Sequence, residues 1–161
     1  SLTCSKLLPI YLKGKKMAAS AWRAYNEAKK YLLTADLDLN AATMRIKLVK
    51  GTAAANVSAY TRSTFASITG LPSNTSVKAL TDPIVTALAG SATIKFDATD
   101  MVFTASGGDA TSVQYAVIGI SGGKALGWCK LSTAAFAVTS GNTLTIAFNA
   151  NGIFTLAGGT T

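Results

Sequence analysis

Short segments that alternate apolar and polar residues, separated by turn-forming residues, fill the second half of the chain and limit the folds open to it. In NTLTIAF (Asn142–Phe148), Leu144, Ile146 and Phe148 share one face, and Thr143, Thr145 and Ala147 share the other. A period of two marks a strand with one buried face. SVQYAVIGI (Ser112–Ile120) and ALGWCKL (Ala125–Leu131) flank the Gly-rich Ser121–Lys124, which reads as a hairpin turn. TIKF and DMVFT are two further strands joined across Asp97–Asp100, and Asn149–Gly152 turns the chain into IFTL. Strands spaced 8–14 residues apart predict a mainly β protein, an antiparallel β-sandwich or a jelly-roll-like barrel.

The first half reads differently. SAWRAYNEAKKYLL (residues 20–33) predicts one N-terminal helix. Ser20 is its expected N-cap, and Ala21, Tyr25, Ala28 and Leu32 form its apolar stripe, widened by Trp22. TMRIKLVK (Thr43–Lys50) reads as a half-buried strand with Met44, Ile46 and Leu48 inward. A short helical turn is expected around Thr64–Ile68, and an edge strand within 73–89, where Pro72 and Pro83 limit regular structure. Residues 1–19 have no sustained period and too little apolar surface to fold alone, so they read as an extended basic arm that orders against a partner. Met17, followed by an Ala/Ser stretch, looks like a chain start, which would make residues 1–16 a leader or upstream sequence. The expected organisation is thus an arm over 1–19 and one domain over 20–161, with a helix at 20–33 and a sandwich at 43–157.

Charge divides the chain in the same place. The first fifty residues hold ten Lys/Arg and three Asp/Glu, a net charge of +7, against +8 for all 161 residues. Lys6, Lys13, Lys15 and Lys16 surround the apolar Leu7, Leu8, Ile10, Tyr11 and Leu12, and Arg23, Lys29 and Lys30 continue the basic run into the helix. These twelve residues are the expected partner-binding set, suited to an acidic surface. Only 14% of residues are charged, below the roughly 25% usual in soluble domains, as in a surface partly covered by partners.

Little in the sequence points to catalysis. With no histidine, Ser-His-Asp, Cys-His and HExxH chemistry is impossible. Gly119–Lys124 contains GISGGK, which fails the phosphate-loop spacing and lies between strands. Asp97, Asp100 and Asp109 form no calcium-loop pattern and read as turn residues. Cys4 and Cys129 read as free thiols, because no CxxC or disulfide framework is present. Two sequons, at Asn56 and Asn74, are ordinary in a Ser/Thr/Asn-rich chain. No apolar run approaches the roughly 18 residues of a membrane span. No enzyme activity, cofactor, metal or membrane partner is expected.

Several motifs in order resemble a family of small β-rich virion proteins of tailed bacteriophages. LDLNAATMRIKLVKG resembles its Leu/Asp-rich turn and first strand, and TFASITG its short Phe-containing turn. FDATDMVFTASGG, SVQYAVIGISGGKALGWCKL and TSGNTLTIAFNANGIFTL resemble its later strands, for a coverage of roughly residues 31–156. The resemblance implies a head decoration (cement) protein that binds the major capsid protein and bridges neighbouring subunits of the shell. It would be made in the bacterial host cytoplasm and act at the capsid surface, as a homo-oligomer or as neighbouring copies. A tail or neck structural protein is the alternative within the virion. An accessory nucleic-acid binder using the basic N-terminal region is the alternative of another class, although nucleic acid is not the expected partner.

Overall fold

A computed structural model describes residues 2–4, 10–12, 15–17, 20–34, 36–40, 43–62, 64–88 and 90–157, the first three pieces by their backbone pairing. The first four strands are β1 (Leu2–Cys4), β2 (Ile10–Leu12), β3 (Lys15–Met17) and β4 (Arg23–Ala24), followed by helix α1 (Asn26–Leu33). Strand β5 (Met44–Lys50) leads through a 3-10 turn at Gly51–Ala53 into the short helix α2 (Ala54–Ser58). Then come β6 (Lys78–Ala79), β7 (Ile84–Ala87), β8 (Thr93–Asp97), β9 (Met101–Thr104) and β10 (Ala110–Ile120). The chain ends in β11 (Ala125–Lys130), β12 (Phe136–Val138), β13 (Thr143–Ile146) and β14 (Phe154–Ala157).

The architecture is mainly β with antiparallel sheets, consistent with a sandwich, and no sheet closes into a barrel among the described residues. The central sheet runs β4-β11-β10-β5-β6, with β12 also on β10. A second sheet runs β1-β14-β8-β7 and a third β3-β2-β13-β9. The latter two are built from the same stretches of chain. Residues 93–104 place β8 in one and β9 in the other, and 143–157 do the same with β13 and β14. The turns between are tied together: the Asp100 carboxylate accepts from Phe148 N at 2.8 Å, and Ile153 N donates to Phe96 O at 2.7 Å. Strands that switch sheets in this way make corners of a sandwich.

The N-terminal stretch follows the same rule, which corrects the expectation of an arm ordered only on a partner. Leu2 pairs with Leu156 and Cys4 with Phe154, while Tyr11 pairs with Thr145 and Leu12 with Leu144. Ile10–Leu12 then pairs back on Lys15–Met17. The free edges of β13 and β14 offer unpaired backbone groups, and an extended segment of the same chain satisfies them.

The expected helix over 20–33 is also corrected. Residues 20–25 run along β11 instead: Ser20 N donates to Lys130 O, Lys130 N donates to Ser20 Oγ, and Tyr25 N donates to Leu126 O. Arg23 lies opposite Trp128 and Ala24 opposite Gly127. Gly127 permits this approach, since a Cβ there would lie 2.6 Å from Arg23 O and 2.6 Å from the Phe154 ring. Ser20 is therefore a strand-edge ligand, not a cap, and the helix starts at Asn26. Strand β5 is more buried than expected, because Lys47 and Val49 are covered as well as Met44, Ile46 and Leu48. The segment 51–70 lies over that second face, contributing Val57, Phe65 and Ile68. The expected short turn at Thr64–Ile68 is present, with Ile68 N donating to Phe65 O at 3.3 Å and no helical continuation, and Thr64 bridges to Lys124. The expected hairpin of β10 and β11 is present, with a register shift at Ile118/Gly119.

Between the sheets, Trp22 anchors the core, its ring 6.1 Å from Phe148 and 6.4 Å from Phe154. Leu144, Ile146 and Phe148 point inward as their alternation predicts. At roughly 25 cal/mol per Å², rings of this size dominate the burial term.

Candidate functional site

The structure disperses the expected partner-binding set. Lys6, Leu7, Leu8 and Lys13 lie outside the described residues. Ile10, Tyr11 and Leu12 belong to β2, and Lys15 and Lys16 to β3, so their backbones are engaged in the third sheet. Arg23, Lys29 and Lys30 are exposed. The Lys30 carbonyl accepts from Thr34 N and Thr34 Oγ1 and closes the end of α1.

Arg23 and Lys29 belong to a basic and aromatic face on the outside of the central sheet. The Arg23 guanidinium lies 5.5 Å from the centroid of the Trp128 ring, its cross-strand neighbour, and Arg23 Nη1 is 3.5 Å from the Tyr60 hydroxyl. Trp128 packs edge-on against Tyr115, with centroids 5.9 Å apart. Lys130 is two residues beyond Trp128 on the same face of β11, opposite Tyr115. Tyr60 is held by its backbone, since Asn26 N donates to Tyr60 O at 2.9 Å, and Lys29 Nζ donates to Asn26 Oδ1 at 3.3 Å. Arg62 fixes its own loop by donating from Nε to Asn56 O at 2.8 Å. Beneath, the Tyr25 hydroxyl donates to Val57 O at 2.8 Å; burial pushes its pKa up, and the nearby Arg62 charge pulls it partly back.

This face is short of counter-charge. Among the described residues the one ion pair joins Lys95 and Asp97, at 2.8 Å and far along the chain in β8. Arg23, Lys29, Arg62 and Lys130 therefore have no carboxylate partner among those residues. Tyr60, Arg62, Tyr115, Trp128 and Lys130 were not singled out by the sequence. The signal that could have found two of them is the alternation in ALGWCKL, which sets Trp128 and Lys130 on one face.

On the other side of β4 lies an apolar cleft of about 290 Å³. Leu32, Leu37, Ile94 and Leu156 line it together with the buried rings of Phe96 and Phe154. Ile94 and Leu156 are cross-strand partners at the mouth, 43% and 47% exposed, so a contiguous apolar rim faces solvent. Asn40 holds the loop wall to β7 by accepting from Val85 N at 2.9 Å. Its lining is dominated by hydrocarbon, so it suits apolar contact over acid–base chemistry.

Other chemically distinctive groups are structural. Asp97 and Asp109 accept backbone hydrogen bonds from Ala98 and Ser140, which explains them as turn residues. No three His, Cys, Asp or Glu side chains converge among the described residues. Cys129 is a free, fully buried thiol whose pKa burial pushes well up. Lys124 closes the expected turn: its ammonium donates to Asp36 O at 2.8 Å and lies 4.0 Å over the Tyr31 ring. No described helix is long and apolar enough to cross a membrane. No protein-family model, curated protein or solved structure matches the chain.

Proposed function

We propose that this chain is a structural protein of a tailed-phage virion, a decoration protein that binds the capsid shell and bridges neighbouring subunits. The observation that carries the reading is the basic and aromatic face of Arg23, Tyr60 and Trp128, mounted on a packed sheet, whose cations form no ion pair among the described residues. A side chain already set against a ring before its partner arrives loses less freedom on binding, and Arg, Tyr and Trp dominate the energetics of many interfaces. The half-exposed Ile94 and Leu156 add apolar surface on a second side. Two separate contact surfaces on one small module suit the bridging of two shell subunits, and many copies on a symmetric shell add avidity. The resemblance of residues 31–156 to β-rich virion proteins supports the same reading.

The test is co-sedimentation of the purified chain with empty phage heads. Saturable pelleting with heads is the expected result. A chain that stays in the supernatant at micromolar concentration overturns the proposal, and pelleting with isolated tails but not heads transfers it to a tail or neck component.

A further inference from the structure

We infer that Arg23 is the centre of a carboxylate seat, and that the face around it receives an acidic protein segment, an Asp or Glu side chain meeting the guanidinium. The inference rests on the proposed shell-binding role for its biological partner, but its chemistry stands on the geometry alone.

Three features make the seat. The first is position: Arg23 sits in a two-residue edge strand paired to β11, packed so closely on Gly127 that a Cβ there would lie 2.6 Å from the Arg23 carbonyl oxygen. The second is orientation. The guanidinium lies 5.5 Å from the Trp128 ring centroid, and its one side-chain hydrogen bond among the described residues, 3.5 Å to the Tyr60 hydroxyl, is at the long limit. Its remaining donors make no hydrogen bond to the described residues, and the ring beside them limits where the guanidinium can go. A planar guanidinium so held matches a carboxylate in two-point fashion, which an ammonium cannot do. The third is charge: Lys130 follows two residues after Trp128 on the same face of β11, Lys29 bonds Asn26, whose backbone holds Tyr60, and Arg62 is two residues beyond Tyr60, and none of the four cations forms an ion pair with a carboxylate among the described residues.

A phosphate backbone would also be attracted. The distribution of aromatic rings argues for protein. Binding a single strand requires a row of exposed rings on which bases stack. Here Trp128 and Tyr115 are 7% and 6% exposed and already packed on each other, leaving Tyr60, 56% exposed, as the one open ring of the face among the described residues. One open ring beside an arginine instead fits an acidic side chain with an apolar neighbour in the same segment.

The experiment uses the full chain and a fluorescent hexaglutamate peptide ending in leucine, with an oligothymidine of equal charge as the competing probe. Binding to the peptide at low salt is expected. Arg23→Ala should weaken it about tenfold or more, as the loss of a charge-assisted two-point contact implies. Arg23→Lys, which keeps the charge and the fold, should recover less than half of that loss in free energy. Lys78→Gln, outside the face, should leave affinity unchanged. Full affinity in both Arg23 variants, no peptide binding by the wild type, or tighter binding of the oligothymidine each overturns the inference. Head co-sedimentation run with the same variants separates the two proposals. Heads that pellet wild type and Arg23→Ala equally remove the seat and leave the shell-binding role standing. Arg23-dependent peptide binding without pelleting removes the role and leaves the seat.

Discussion

The Lys47 ammonium lies 2.6 Å from the Phe65 carbonyl oxygen and 4.2 Å from the centroid of the Phe65 ring. It also donates to Ile68 O at 2.6 Å. A buried cation here is solvated by peptide carbonyls and a ring face instead of a carboxylate. Burial lowers its pKa below that of a free lysine. The arrangement holds the 64–69 turn over β5 and closes the face on which the Arg23 cluster sits.

Replacing Lys47 by Met keeps the stem and removes the donor. The Ile68 carbonyl then loses its ammonium partner, so Lys47→Met should destabilise the fold by about 1–3 kcal/mol. Urea unfolding would measure the loss. Hydrogen exchange should show the increase concentrated in the 64–70 turn, and unchanged protection there would contradict the role assigned to Lys47.

Alkaline pH should weaken the fold through Cys129 and then Tyr25. Both have folded-state pKa values raised by burial, so the unfolded chain ionises first. Their stabilisation is complete below the ordinary thiol and phenol values and is lost as pH rises beyond them. Lys47 acts oppositely, because its lowered folded pKa makes stability rise with pH up to the ordinary lysine value. Comparing wild type with Cys129→Ala isolates the thiol. Between about pH 8 and about pH 10 the wild-type thermal midpoint should fall further than that of the variant. Parallel curves would reject the thiol's part.

Gly127→Ala tests the contact between β4 and β11. The added methyl would meet the Arg23 carbonyl and the Phe154 ring, both 2.6 Å from its position. Overpacking of this kind costs about 1–3 kcal/mol. It should also displace Arg23 from the Trp128 ring, so peptide affinity should fall along with the urea midpoint. Wild-type values for both would show that the edge strand tolerates the shift.

Removing residues 1–17 would uncover the edges of β13 and β14 on which β2 and β1 pair. Exposed edges template association between chains. The truncated protein should melt at a lower temperature and sediment as concentration-dependent oligomers. A monomer with the wild-type midpoint would show that these pairings contribute nothing.

Much of the sandwich is legible locally. The β10–β11 hairpin follows from two apolar runs around a Gly-rich turn, and the inward set Leu144, Ile146 and Phe148 follows from a period of two. The edge position of β6 and β7 follows from the nearby prolines. These features depend on neighbours a few residues away, and their turn chemistry is written in residue type.

The rest was set by distant partners. Residues 20–25 have helical spacing, yet their backbone groups are satisfied by β11, a hundred residues away in sequence. β8 and β9 are adjacent in sequence but belong to different sheets, which nothing in TIKF or DMVFT records. Lys47 alternates as a surface residue should, and it is buried because the 51–70 segment brings it two carbonyl oxygens. The Arg23 face gathers residues 23, 60, 62, 128 and 130, and the sequence alone yielded only its basic character. Local alternation and turn chemistry thus determined the strands of this protein and their faces. Which edge each strand completes, and which cation stands beside which ring, was decided by long-range backbone satisfaction and close packing, which exist only once the chain has folded.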